Sequence, residues 1–139
     1  MPHPDRIVAA ARAWIGTPYR HQASLKGVGC DCLGLLRGVW REIVGDEPER
    51  PPPYGPGGAG SDALAEAARR WLLAREPGAV GAGDVLLFRW RDGLPARHCA
   101  IATAAGTMVH AHSGANVAEV ALSPWWRRHL AHAFRFPDG

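Results

Sequence analysis

The chain has 139 residues, 47% of them hydrophobic and 21% charged, with a formal net charge of +3. That is enough material for a packed core without covalent staples, and three cysteines, an odd number without regular spacing, argue for free thiols over a disulfide framework. The mild basic bias is carried by arginine, with Lys26 the only lysine, and no basic run is interleaved with aromatics as a nucleic-acid groove would be; nothing approaches the ~18 apolar residues of a membrane span.

Met1-Pro2-His3-Pro4-Asp5 lacks a basic segment followed by an apolar run, so no secretory signal is expected and the protein is expected to be made in the cytoplasm. Residues 5–15 read as a helix, with Ile7, Val8, Ala11, Trp14 and Ile15 on one face and Gly16 as its stop. Pro18 holds Thr17 out of helical geometry, so residues 17–21 are extended. Then comes Gly27-Val28-Gly29-Cys30-Asp31-Cys32, a glycine-rich loop ahead of an amphipathic helix that runs to about Val44 and ends at Gly45. Asp31 is the natural N-cap, and Leu35, Leu36 and Val39 follow Cys32 on one helical face. A thiol in the first turn of a helix sits where unpaired N–H groups and the macrodipole favour negative charge, which lowers its pKa. Cys32 is therefore the candidate nucleophile.

Residues 46–60 hold five prolines and four glycines and are expected to cross the surface as a loop. A second helix is predicted over 61–75, capped by Ser61, with Leu64, Ala67, Ala68, Trp71 and Leu72 inward. From Gly83 the period changes to that of strands, at 84–88, 98–103, 107–111, 117–122 and 131–136, with a short helix possible over 124–130. Helices first and antiparallel strands after make an α+β domain over 1–139, its sheet of five to six strands packed on the cysteine helix.

His98 opens one strand and His110 lies on the next. Their index sum is even, which puts both on one face if the connection is a three-residue one centred on Ala104; they would then stand directly opposite each other. A plain two-residue turn at Ala105-Gly106 would separate the faces, so the pairing requires a bulge or a wider loop. A thiol at a helix N-terminus and two imidazoles on a packed sheet are the parts of a thiolate–imidazole catalytic unit, one histidine pairing with the cysteine and the other orienting the first. Cys30, Cys32, His98 and His110 could also supply zinc donors, but a C-x-C pair lacks the usual zinc spacing, and neither metal nor cofactor is expected. Cys99 reads as core, and His21, His112, His129 and His132 as surface or core residues.

Thr17-Pro18-Tyr19, Asp31-Cys32-Leu33-Gly34-Leu35, Gly83-Asp84-Val85-Leu86-Leu87-Phe88, His98-Cys99-Ala100-Ile101 and Met108-Val109-His110-Ala111 occur in the order found in NlpC-type cysteine peptidases, which the chain resembles over most of its length. The resemblance implies a papain-like fold and cleavage of peptidoglycan stem peptides, commonly between D-glutamate and the diamino acid. It implies Cys32 as nucleophile, His98 as general base and His110 as the orienting residue, with Tyr19 and Asp31 as supports for the substrate or the oxyanion. Leu33 departs from the serine that usually follows the cysteine. The segments around Tyr19 and Cys32 are most similar to the branch encoded with phage tails and gene transfer agents, which implies tail-tip or baseplate partners and action at the cell wall. The alternatives are a non-catalytic tail-tip plug, a wall-binding module, or a cellular wall-recycling peptidase.

Overall fold

In a computed structural model the described residues are 3–52 and 62–137. Helix α1 (Pro4–Arg12) starts with proline at its first position, and the His3 ring caps it by accepting from the Asp5 N–H. It is shorter than its periodicity suggests: the chain turns after Arg12 and leaves Ile15 46% exposed. The Gly16 and Val117 N–H groups donate to Val117 and Thr17 carbonyls respectively, tying the end of α1 to the sheet.

A small hairpin, β1 (Ser24–Leu25) and β2 (Gly29–Cys30), leads into α2 (Cys32–Ile43), whose inward face is Gly34, Leu35, Gly38 and Val39. Gly38 is where the indole of Trp14 rests; a Cβ there would lie 1.9 Å from the Trp14 ring. Gly34 abuts the loop before β1, with a notional Cβ 1.8 Å from the Ala23 carbonyl oxygen. These two positions, one turn apart, let α1 and the loop close on α2. The loop of 46–60 is described only through residue 52, irregular and mostly exposed; its remainder, including Tyr54, and Ser61, the predicted cap, lie outside the described residues.

Helix α3 (Ala63–Trp71) buries Ala65 and Ala68 and is followed at once by β3 (Leu73–Arg75), where the apolar spacing predicts continued helix. The register Leu73↔Arg135 to Arg75↔Ala133 against the last strand explains the difference, since sheet pairing outweighs weak helical propensity once a partner edge is available. The other strands are β4 (Val85–Phe88), β5 (His98–Ala104), β6 (Thr107–His110), β7 (Ala118–Ala121) and β8 (Leu130–Arg135), with the short helix α4 (Pro124–His129) between the last two. All pair antiparallel in the order β3-β8-β4-β5-β6-β7.

Alternation along the strands divides the core. Val85, Leu87, Cys99, Ile101, Val109 and Phe134 face the helices, while Leu86, Phe88, Ala100, Ala102 and Met108 face Leu122 and Trp126 on the other side. All four residues of β4 are buried, as a central strand covered on both faces requires.

The β5–β6 connection resolves the parity question. Ala104 pairs with Thr107 across a two-residue turn, and the register then shifts so that Ala102 pairs with Met108 and Ile101 with Val109. One extra residue on β5 converts an odd index sum into an even one, and His98 and His110 fall on the same face. They are not directly opposite, as the centred connection would have them. Continued from Ile101↔Val109, the register sets His98 diagonally from His110 and across from position 112.

Candidate active site

Asp31 builds the end of α2 that carries the thiol. Its Oδ1 accepts from the Gly34 N–H and its Oδ2 from the Gln22 N–H, both at 2.7 Å, and the carboxylate is 2% exposed. Gln22 adopts a left-handed backbone (φ 66°), a conformation that costs a non-glycine residue about 1 kcal/mol and here turns its N–H toward Asp31. Both carboxylate oxygens accept from backbone N–H groups, with the His21 Nδ1 3.9 Å from Oδ2, so Asp31 caps and fixes the helix end. The helix geometry leaves the Cys32 and Leu33 N–H groups without intrahelical acceptors.

Cys32 is half-buried, and its thiol is held well below the usual thiol range. The Cys99 thiol hydrogen-bonds to it, and His98 both hydrogen-bonds to it and attracts the thiolate, together outweighing a burial that favours the neutral form. Cys99 is pushed the other way by the same contact and by burial. The His98 Nε2 lies 2.9 Å from the His110 Nδ1, leaving Nδ1 of His98 as its ring nitrogen for Cys32. Burial, then the neighbouring His98 and His112, lowers His110 to about 4. A neutral His110 can accept at Nδ1 from the His98 Nε2–H, and this contact holds the His98 ring in orientation. Tyr19 packs beside the site through a parallel bridge to Cys30, and its phenol is raised by burial and by the nearby Cys32 and Asp31.

The structure thus brings together Cys32, His98 and His110, sets Tyr19 alongside, and uses Asp31 from behind. Three features were missed in the sequence. Cys99 is buried as expected, yet its thiol reaches Cys32. His112 joins the imidazole pair, its ring stacked 5.7 Å from that of His110; the parity that links His98 and His110 extends to it and is the signal that could have found it. An aromatic wall stands over His98: Trp126 and Trp90 stack on it at 5.5 and 5.7 Å, Trp125 abuts Trp126 at 4.9 Å, and Trp90 and Trp125 remain 38% and 44% exposed. Beyond Trp125, which stacks on His129 at 3.9 Å, a basic recess is lined by Arg89, Arg91, Asp92, Arg128 and His129. Cys30 stays apart: it is fully buried, its thiol is pushed up to about 12 chiefly by burial, and it belongs to no cluster of metal-ligating side chains among the described residues.

The fold that carries these residues is shared with solved structures. An NlpC/P60 family protein from Bacillus cereus ATCC 10987 superimposes with a TM-score of 0.73 at 22% identity, over 97% of this chain and 40% of that one. The chain has the NlpC/P60 fold. The NlpC/P60 domain of the peptidoglycan hydrolase SagA matches with a TM-score of 0.67 at 24% identity, over 96% of this chain and 99% of that domain. Ly7917, in a structure with the hydrolysing product of MDP, matches with a TM-score of 0.64 at 14% identity, over 97% of this chain and 63% of that one. The chain thus spans all of the SagA domain but only about two fifths of the B. cereus protein. No protein-family model and no curated protein matches the sequence itself. In this chain the fold is a six-stranded antiparallel sheet with α1, α2 and α3 packed on one face and Trp126 of α4 on the other.

Proposed function

We propose that the protein is a cysteine peptidase that hydrolyses an amide bond in the peptide stems of bacterial peptidoglycan. The observation that carries the reading is the relay Cys32–His98–His110: a thiol of lowered pKa hydrogen-bonded to one imidazole, whose far nitrogen meets a second, neutral imidazole at 2.9 Å. The Cys32 thiolate attacks the scissile carbonyl carbon, and the oxyanion turns toward the open N–H groups at the start of α2. His98 gives its Nδ1 proton to the leaving amine as the C–N bond breaks, then takes a proton from the water that opens the thioester, and the thiolate is regenerated. His110 keeps the His98 ring in place throughout.

The substrate class is supported by the SagA domain, which belongs to a peptidoglycan hydrolase, and by the MDP-derived product seen with Ly7917. Stem peptides carry free carboxylates, which suit the basic recess of Arg89, Arg91 and Arg128 at the end of the aromatic wall. The resemblance in sequence favours the D-glutamyl–diamino acid bond and delivery to the wall by a phage-like tail tip.

Digestion of purified wall stems, read by mass spectrometry, is expected to release fragments cut at an amide within the stem, and Cys32→Ala to release none. Cleavage confined to the glycan, or equal release by Cys32→Ala, overturns the reading. Co-purification with tail proteins tests the delivery role separately.

A further inference from the structure

We propose that His98, His110 and His112 form a binding site for a borderline divalent transition ion, Zn²⁺ being the type case, and that its occupation reversibly switches the relay off. The three residues each direct one ring nitrogen into a common space, with all three atoms within 4.8 Å of one another. Three imidazoles and no carboxylate suit zinc, copper or nickel and not magnesium or calcium.

The movement required is small. Ligands on a tetrahedral zinc at ~2.0–2.1 Å stand about 3.3 Å apart. His98 Nε2 and His110 Nδ1, now 2.9 Å apart, need open by only a few tenths of an ångström. His112 must close on them, and it is the exposed member of the three, just past the end of β6, where its side chain is not locked in the core. Its ring is stacked nearly parallel to that of His110, so the side chain must also rotate to turn its in-plane lone pair toward the shared point.

The site is distinct from the thiol. His98 Nε2 is the nitrogen that meets His110 Nδ1, and no cysteine belongs to the cluster, so the ion is held by imidazoles alone. The fourth position is left to water. Binding displaces the proton between Nε2 and Nδ1, which leaves to solvent, and severs the hydrogen bond that orients His98. An imidazole with a metal on Nε2 also yields its Nδ1 proton less readily than an imidazolium, so the leaving amine is not protonated. This inhibitory consequence rests on the peptidase reading above; the binding itself does not.

Titration of the full chain with Co²⁺, followed by visible absorption, and with Zn²⁺, followed by calorimetry, tests both halves. One ion per chain is expected, with weak ligand-field bands and no intense thiolate-to-metal band, and with release of a proton to the buffer. His112→Ala should weaken binding at least tenfold, and Cys32→Ala should leave it within about twofold. Zn²⁺ should inhibit stem hydrolysis, a chelator should restore it, and the inhibition constant should rise at least tenfold in His112→Ala, scored against that variant's own metal-free rate. Absence of saturable binding, binding unchanged in His112→Ala, or an intense thiolate band that disappears in Cys32→Ala overturns the site. Ion binding with the expected variant pattern in a protein that cuts no stems would keep the site and remove the peptidase reading.

Discussion

Cys30 and Cys32 lie two residues apart at the join of β2 and α2, yet their thiols are driven in opposite directions. Cys30 ends a strand with no exposed surface, and burial, with Asp31 and Cys32 beside it, pushes its thiol up to about 12. Cys32 begins the helix, is half-buried, and is held well below the ordinary range by Cys99 and His98. A helix terminus contributes about 0.3–1 kcal/mol at an exposed site and up to about 2 kcal/mol in a partly buried one. The contrast therefore teaches that Cys99 and His98, brought up by β5, act on Cys32 alongside the helix end, whereas Cys30 has burial and neighbouring negative charge instead.

The broadest way to break that comparison is to remove each thiol in turn. Cys32→Ala is expected to lower stem hydrolysis by at least ~10³-fold, since the covalent step has no substitute, whereas Cys30→Ala should stay within a fewfold. Limiting iodoacetamide near neutral pH should label Cys32 well before Cys30 and Cys99. Equal labelling of all three in the folded protein would contradict the assignment.

The histidines come next. His98→Ala should abolish hydrolysis because the proton acceptor is gone, while His110→Ala should cost roughly 10²-fold and leave measurable turnover, because only orientation and tautomer control are lost. Steady-state rates on a defined stem peptide give the order; the reverse order would exchange the two roles.

A smaller effect separates activation from scaffolding. Gly34→Ala sets a methyl against the Ala23 carbonyl oxygen, a backbone atom that cannot rotate away. Overpacking of this kind costs about 1–3 kcal/mol. It should displace the loop that positions Gln22 on Asp31 and so disturb the cap of α2. Denaturant unfolding should show the loss, and Cys32 labelling should slow in the fraction that remains folded. Unchanged unfolding would mean that the loop moves freely away from α2.

Much of this was legible in the sequence because it rests on local pattern. Asp31-Cys32 followed by apolar residues at helical spacing marks the helix and its cap, and the even index sum of His98 and His110 marks a shared face. What escaped depends on tertiary partners. The turn from α3 into β3 is decided by the free edge of β8, which the spacing of Leu72 and Leu73 does not reveal. The diagonal placement of His98 and His110 is set by one extra residue near Thr103, whose hydroxyl meets that of Thr107 at 2.6 Å across the irregularity. Trp90 and Trp126 come from separate segments and stack on His98 only in the folded chain.

The narrowest test uses the fact that burial opposes charge of either sign. It keeps the Cys30 thiol protonated and keeps the His110 imidazole unprotonated, down to about 4 from an ordinary 6.5. As pH falls between those two values, the unfolded chain takes up a proton at this residue and the folded protein does not. His110 therefore contributes its stabilisation in full above about pH 6.5 and loses it progressively toward pH 4. The slope for one such group is at most ~1.4 kcal/mol per pH unit, and the whole window is worth no more than about 3–4 kcal/mol. Other groups are shifted as well, including His112, whose imidazole is lowered by burial and by His98, and Asp84, raised by burial. Comparing the protein with His110→Asn at each pH cancels most of their effect. Whatever stability gap urea unfolding shows between the two near neutral pH should shift in favour of the variant as pH approaches about 4.5, because asparagine takes up no proton. A gap independent of pH would mean that His110 is not held neutral by its surroundings, and that His98 is oriented by some means other than an acceptor nitrogen on its neighbour.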